Sequence, residues 1–144
     1  MKGMVAYKRE KRIYLRPLSE AETFTIATDP VTVIEEGELP SRKGSAVREA
    51  LAHSKKDVPD PARWDDPNDP LLKAAGVRSY SKFEKSASSC DVYLKGDQLR
   101  FTPYKNLRPR RGYVPIVDRE MFLPADASDE EVGIYLEKTF DACE

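Results

Sequence analysis

Apolar and polar side chains alternate in short runs along the first quarter of the chain. In residues 12–16, Ile13 and Leu15 fall on one face and Tyr14 on the other, as in a partly buried strand. A polar turn at residues 8–11 precedes this run, and Asp29-Pro30 marks a later turn. The β-branched and aromatic content predicts four strands in all: residues 5–7, 12–16, 23–27 and 31–35.

Two longer segments show helical periodicity. The first follows Pro40, where Ser41 or Ser45 is a candidate N-cap and Val47, Ala50 and Leu51 share one apolar stripe. The second begins with a capping box, Ser128-Asp129-Glu130-Glu131, which predicts an amphipathic C-terminal helix. Its apolar stripe consists of Val132, Tyr135, Leu136, Thr139, Phe140 and Cys143.

Between these helices the pattern changes twice. Residues 71–75, closed by Gly76, and residues 79–87 each predict a short helical segment. The alternation then returns, and residues 90–102 predict a hairpin that turns at Gly96-Asp97. Residues 112–122 predict one more strand, at an edge or a bulge because Pro115 lacks an amide hydrogen.

These elements do not alternate as regular βαβ units. They predict one α+β domain over residues 1–144: a mainly antiparallel sheet with the mid-chain helix and the C-terminal amphipathic helix packed on it. A length of 144 residues suits one ordinary domain.

The charge of the chain is nearly balanced in total and uneven in its distribution. Twenty-four basic and 25 acidic residues give a net charge of −1, which argues against a general polyanion binder. Residues 1–16 carry six basic residues against one acidic, and residues 71–117 carry ten against three. Residues 118–144 carry two basic against nine acidic. We therefore expect a dipolar surface, which favours a charged protein partner.

Few residues are available for catalysis or for metal binding. His53 is the single histidine, and Cys90 and Cys143 are far apart with no CxxC spacing. No Gly-rich phosphate loop and no long apolar segment occur. We expect a cytoplasmic, non-enzymatic protein without a cofactor and without membrane attachment. His53 as a base in a small enzyme remains an alternative.

Residues 57–70 form a proline- and aspartate-rich segment. Four prolines make a long helix or a central strand untenable, so the segment is predicted to be an ordered or semi-ordered loop. The spacing of its aspartates does not match a calcium loop. Trp64 is open to two interpretations: an interface anchor, or a plug of the core beneath the loop.

A basic and aromatic segment at residues 104–113 suggests a different function. Lys105, Arg108, Arg110 and Arg111 lie between two tyrosines, a combination that single-stranded nucleic acid binders use. The alternative to protein binding is therefore a small nucleic-acid-binding module. A solvated loop between two strands explains the same residues without any ligand.

The order of several motifs resembles the immunity proteins of contact-dependent growth inhibition (CDI) systems. The motifs are Pro59, Pro61, Trp64 and Pro67, the run 71–77, Ser79-Tyr80, Phe83, Thr102-Pro103, Asn106, Gly112-Tyr113 and the run 128–133. The resemblance covers about the last two thirds of the chain. It implies a cytosolic bacterial protein that binds and neutralises the C-terminal toxic domain, commonly a nuclease, of an exported toxin. It implies no catalytic residues.

An inhibitor of a nuclease can present carboxylates where the enzyme expects phosphates. We therefore hypothesise a partner-binding face at residues 57–70, consisting of Asp57, Asp60, Trp64, Asp65, Asp66 and Asp69. The aspartates have a second interpretation as turn formers. The acidic side of the C-terminal helix, through Glu130, Glu137 and Asp141, is a second candidate face.

Overall fold

The computed structural model describes all of residues 1–144. Eight strands, four α-helices and one short 3₁₀ helix follow one another along the chain. They are β1 (Lys2–Arg9), β2 (Arg12–Glu20), β3 (Thr25–Ala27), β4 (Thr32–Glu35), α1 (Pro40–Ala52), α2 (Pro70–Ala75), α3 (Tyr80–Glu84), β5 (Ser88–Lys95), β6 (Gln98–Asn106), β7 (Tyr113–Pro115), the 3₁₀ helix (Val117–Arg119), β8 (Met121–Pro124) and α4 (Asp129–Asp141).

One antiparallel sheet forms the centre of the molecule. Its strand order is β3-β2-β1-β5-β6-β7, with β4 also paired to β2 and β8 also paired to β6. Each outer edge therefore consists of two short strands placed one after the other, β3 and β4 along β2, and β7 and β8 along β6. Every strand pair is antiparallel, which confirms the predicted α+β class.

The main hydrophobic core lies between one face of this sheet and the pair α1 and α4. It takes the inward positions of the central strands and the apolar stripes of both helices, as the periodicity predicts. Seventeen buried residues make up this core. They are Met4, Ala6, Ile13, Leu15, Ile34, Ala46, Val47, Ala50, Leu51, Cys90, Val92, Leu99, Phe101, Leu123, Val132, Leu136 and Phe140.

Helices α1 and α4 approach each other closely because each has a glycine at the contact. A Cβ atom on Gly44 would lie 1.8 Å from the carbonyl oxygen of Asp129, and one on Gly133 would lie 1.8 Å from that of Pro40. Any larger residue at either position would force the helices apart. The Arg48 guanidinium also binds the segment before α4, with its Nη1 3.0 Å from the carbonyl oxygen of Ala125.

A second, smaller core lies on the opposite face of the sheet. Tyr14 points away from Ile13 and Leu15 and packs with Leu71 and Leu72 of α2 and with Phe83 of α3. The two short helices were predicted, but not that they cover this face. The sheet is thus buried on both sides over part of its area.

Several element boundaries differ from the prediction. Leu39 is the N-cap of α1 and makes no side-chain cap hydrogen bond, so Ser41 and Ser45 are not caps. Pro40 at the first position sets the helical φ and has no amide hydrogen to satisfy. The predicted strand at 112–122 is two short strands, β7 and β8, separated by the 3₁₀ helix. The first turn contains only Glu10 and Lys11, both with positive φ, and β3 begins at Thr25.

Candidate functional site

Residues 57–70 form an ordered loop that is attached to the turn between β2 and β3. The backbone amide of Val58 donates to the carbonyl oxygen of Glu20 at 3.1 Å. The Thr23 hydroxyl donates to Asp60 Oδ2 at 3.1 Å, and the Thr23 amide is 3.4 Å from Asp60 Oδ1. Asp60 therefore holds the two segments together, so that the loop and the β2–β3 turn form one surface.

Trp64 is exposed on that surface and pairs with a second exposed aromatic residue. Trp64 is 59% exposed and Phe24, in the β2–β3 turn, is 56% exposed. Their ring centroids are 5.3 Å apart with the planes at 88°, an edge-to-face contact. The interpretation of Trp64 as a plug of the core is therefore wrong. Phe24 was missed because nothing in its local sequence shows that it meets a residue forty positions later.

The carboxylates of the loop are not equivalent. Asp57 and Asp65 are exposed, and Asp57 adopts a positive φ of 56°. Asp66 is half-buried and its Oδ1 accepts a hydrogen bond of 2.9 Å from the amide of Asn68, as expected for a turn former. Arg63 is the single cationic residue of the segment. The loop that carries Trp64 consequently has a net negative charge.

Asp69 has an internal role instead. Its carboxylate accepts hydrogen bonds from Arg16 Nη1 at 3.0 Å and from the amide of Leu71 at 2.9 Å, where it caps α2. The Tyr80 hydroxyl donates to its other oxygen. Burial raises the pKa of Asp69, but these hydrogen bonds and the Arg16 charge outweigh it, so the pKa lies below its ordinary value.

The Arg16–Asp69–Tyr80 cluster lies in a cleft of about 510 Å³ that Trp64 borders. Arg16 is buried and also donates to Asp29 Oδ1 at 3.2 Å, so its guanidinium joins the start of α2 to the β3–β4 connection. Burial, and after it the hydrogen bond to Asp69, raises the pKa of Tyr80, whereas the Arg16 charge lowers it. The cluster fixes the base of the loop, on which the acidic and aromatic surface stands.

The second predicted face, on α4, belongs to a different layer of the molecule. Glu130 and Asp141 are exposed, whereas Glu137 forms an ion pair with the buried Lys43 of α1. Helix α4 packs over the main core, and the loop 57–70 leads into α2 on the other side of the sheet. The structure does not bring the two sets of predicted residues together.

In the basic segment 104–113, both tyrosine hydroxyls donate hydrogen bonds to other groups of the protein. The Tyr104 hydroxyl donates to Asp91 at 2.5 Å, and the Tyr113 hydroxyl donates to the carbonyl oxygen of Ala87 at 2.9 Å. Arg108 donates to the carbonyl oxygen of Lys85 at 2.7 Å, and Arg111 is 3.4 Å from Glu84. The two rings are half-buried, so they do not form a free stacking platform.

The remaining candidate groups are placed as ordinary structural residues. His53 is exposed at the C-terminal end of α1, with Nδ1 2.9 Å from the carbonyl oxygen of Glu49. Both cysteines are free thiols whose pKa values are raised by burial. No group of three or more His, Cys, Asp and Glu side chains is arranged to hold a metal ion. None of the helices has the length and apolar content needed to cross a membrane.

Fold and surface together describe an α+β domain with an exposed acidic and aromatic face, a combination that proteins use to bind other proteins. Comparison with known families makes this specific. The family model described as CDI immunity protein matches residues 40–143. The chain belongs to the family of CDI immunity proteins, in agreement with the resemblance of its motifs.

Solved structures share the fold at low sequence identity. A protein of unknown function from Neisseria meningitidis matches with a TM-score of 0.81 and 18% identity, over 99% of this chain and 95% of that chain. A toxin and immunity complex, CdiA-CT/CdiI, from Yersinia pseudotuberculosis contains a chain that matches with a TM-score of 0.75 and 16% identity, over 99% and 97% of the two chains. No curated protein matches this chain.

Proposed function

We propose that this chain is a non-enzymatic immunity protein of the bacterial cytoplasm that binds and neutralises the C-terminal toxin domain of a cognate CDI exoprotein. Membership of the CDI immunity family supports the immunity function. The Yersinia protein of the same fold is part of a toxin and immunity complex, which makes a direct protein partner reasonable for this chain as well. We further propose that the toxin domain is a nuclease.

The choice of surface rests on one observation: Phe24 of the β2–β3 turn and Trp64 of the acidic loop 57–70 form an exposed aromatic pair. Two large aromatic rings at more than half exposure are costly to leave in water and provide the anchors found at the centres of protein interfaces. The loop that carries Trp64 also carries the carboxylates of Asp57, Asp65 and Asp66. A nuclease presents cationic groups to the phosphates of its substrate. The carboxylates of the loop would bind these cationic groups in place of the phosphates.

The test compares binding of the toxin domain by three forms of the chain. Asp65→Lys together with Asp66→Lys should reduce the association rate about tenfold at low salt, and less at high salt, because steering is screened. Trp64→Ala should weaken the Kd about thirtyfold, as for loss of a hot-spot aromatic. The matched control is Asp97→Lys with Asp126→Lys, two exposed aspartates outside the loop.

Unchanged association rates and Kd in both loop variants, with the control also unchanged, would remove residues 57–70 from the interface. The same measurement on Glu130→Lys with Asp141→Lys then tests the second candidate face on α4. Nuclease activity is assayed directly, by digestion of DNA and RNA with the isolated toxin domain. Addition of one equivalent of this chain should abolish that digestion.

A nucleic-acid-binding function through residues 104–113 is the alternative. It predicts affinity for oligonucleotides that falls steeply with salt, with a slope that decreases when Arg110 and Arg111 become alanine. Absence of oligonucleotide binding at low salt would exclude it. The hydrogen bonds of Tyr104 and Tyr113 to protein groups favour the immunity function over this alternative.

A further inference from the structure

A second cavity, of about 380 Å³, lies on the face of the sheet opposite to α1 and α4. Because Cys90 and Val92 point into the main core, the pleat of β5 directs Asp91 to the other face. The cavity has a lining of both polar and apolar residues, and its polar groups come from β2, β3, β5, β6 and the segment after the 3₁₀ helix. Its ionisable and hydroxyl groups include Glu20, Asp91, Tyr93, Arg100, Thr102 and Glu120.

Asp91 is buried, and only one of its two carboxylate oxygens forms a hydrogen bond. The side chain lines the cavity although the residue is only 7% exposed. Its Oδ2 accepts the hydrogen bond of 2.5 Å from the Tyr104 hydroxyl, whereas its buried Oδ1 has no hydrogen-bond partner. An ionised oxygen without a partner is costly in the interior, so a donor group that reaches this covered atom from the cavity would lower that cost.

The cationic group already present does not satisfy this acceptor. Arg100 lies over the Tyr93 ring, with its guanidinium carbon 5.5 Å from the ring centroid, and its Nε is 3.6 Å from Glu120 Oε2. That Nε is itself buried without a hydrogen bond. The second carboxylate, Glu120, accepts a hydrogen bond of 2.7 Å from the Thr102 hydroxyl. Arg100 is thus held between an aromatic face and Glu120 and makes no hydrogen bond to Asp91 Oδ1.

The charges around the cavity leave an excess of negative charge. Glu20, Asp91 and Glu120 contribute three carboxylates, against the guanidinium of Arg100 and the α-amino group of Met1, so the ionised lining carries one negative charge in excess. A cavity of this volume falls within the range of about 300–1,000 Å³ typical of small-ligand sites. Anions are repelled by such a lining, whereas a compact donor with a positive charge matches both the charge and the free acceptor.

We propose that this cavity binds one organic cation, an ammonium or guanidinium group, through Asp91 and Glu120. Two sources supply such a group: a free small molecule, and a lysine or arginine side chain of a bound protein. The proposal concerns a surface other than the acidic loop 57–70. It is tested on the chain alone, so its failure and the failure of the immunity function are distinguishable.

The experiment is a titration of the labelled chain with methylguanidinium chloride at pH 7.5, followed by amide chemical shifts. Saturable shifts are expected at Asp91, Tyr93 and Thr102, and N-methylurea, a neutral molecule of the same shape, should give none. Asp91→Asn should weaken the affinity about tenfold, the effect of losing one charge-assisted hydrogen bond. Asp97→Asn, an exposed position, is the matched control and should leave the affinity unchanged.

A second variant and a pH series keep the test decisive if Asp91→Asn does not fold. Glu120→Gln should weaken methylguanidinium binding in the same direction. In the unmodified chain the affinity should fall as Asp91 becomes protonated, because burial raises the pKa of that carboxyl to about 6 against the opposing effects of Tyr104 and Arg100. Glu20, Glu120 and Tyr93 also face the cavity.

Equal shifts with N-methylurea, or an affinity unchanged in folded Asp91→Asn, would overturn the proposal. Adding the toxin domain to the chain with methylguanidinium bound identifies the source of the cation. Displacement of methylguanidinium by the toxin domain would assign the cation to a side chain of the partner. Retention of methylguanidinium in the presence of bound toxin domain would assign the site to a free small molecule.

Discussion

The buried carboxylate of Asp91 allows a quantitative prediction about stability. Its burial raises the pKa from an ordinary 3.8 to about 6, even though the Tyr104 hydroxyl and Arg100 stabilise the charged form. A difference of this size in pKa corresponds to about 3 kcal/mol between the two protonation states. The folded chain therefore binds this proton more tightly than the unfolded chain does.

The sign of the pH dependence follows from that difference. Between pH 3.8 and about 6 the folded state holds the proton and the unfolded state has lost it, so stability falls as the pH rises. Above pH 7 both states are ionised at this residue, and the full destabilisation of about 3 kcal/mol is present. Asp91→Asn cannot ionise, and its amide oxygen can still accept the hydrogen bond from Tyr104. It should therefore be more stable than the unmodified chain at neutral pH.

The assay is urea unfolding of both chains at pH 4, 5, 6 and 7.5. We expect Asp91→Asn to gain about 1–3 kcal/mol at pH 7.5 and nearly nothing at pH 4. The exposed Asp97→Asn should show no such pH-dependent difference. A loss of stability at pH 7.5, or a gain that does not change with pH, would refute the assignment of Asp91 as a destabilising buried charge.

Three further predictions concern the packing and the loop base. Asp69→Asn should cost about 3 kcal/mol at neutral pH, because it leaves the buried Arg16 with a weaker partner. Since the folded pKa of Asp69 is lowered, the stability it contributes should be lost as pH falls below 3.8, which acid titration by circular dichroism measures. Gly44→Ala should cost about 2 kcal/mol in urea unfolding because of the contact with α4, whereas Gly37→Ala, with open space around it, should cost little. Leu136→Ala should lower stability by about 3 kcal/mol, since the side chain is fully buried.

The stability cost of Asp91 is consistent with a functional role for its cavity. Groups that lower the stability of the folded state are commonly retained where a ligand needs them. A cation bound to Asp91 Oδ1 would remove the cost of the unpaired charge, so the unmodified chain should gain stability from methylguanidinium and Asp91→Asn should gain less. This is a readout of the site that does not depend on chemical shifts.

The elements with strong local patterns were predictable from the sequence. The capping box at Ser128 marks the start of α4, with Ser128 accepting from the amide of Glu131 at 3.1 Å. The alternation in residues 13–15 places Ile13 and Leu15 in the main core and Tyr14 in the smaller core. These features depend on residues a few positions apart, and local spacing and capping determine them.

The tertiary structure alone decided which distant residues meet. Phe24 joins Trp64 because hydrogen bonds carry the loop 57–70 onto the β2–β3 turn, and Asp69 is withdrawn from the surface by Arg16, fifty-three positions away. The aspartates of the loop are alike in sequence and differ in role, since burial and partners, which come from elsewhere in the chain, set the energy of a charge. For the same physical reason the unpaired oxygen of Asp91 has no signature in the sequence and appears only once the strands have paired.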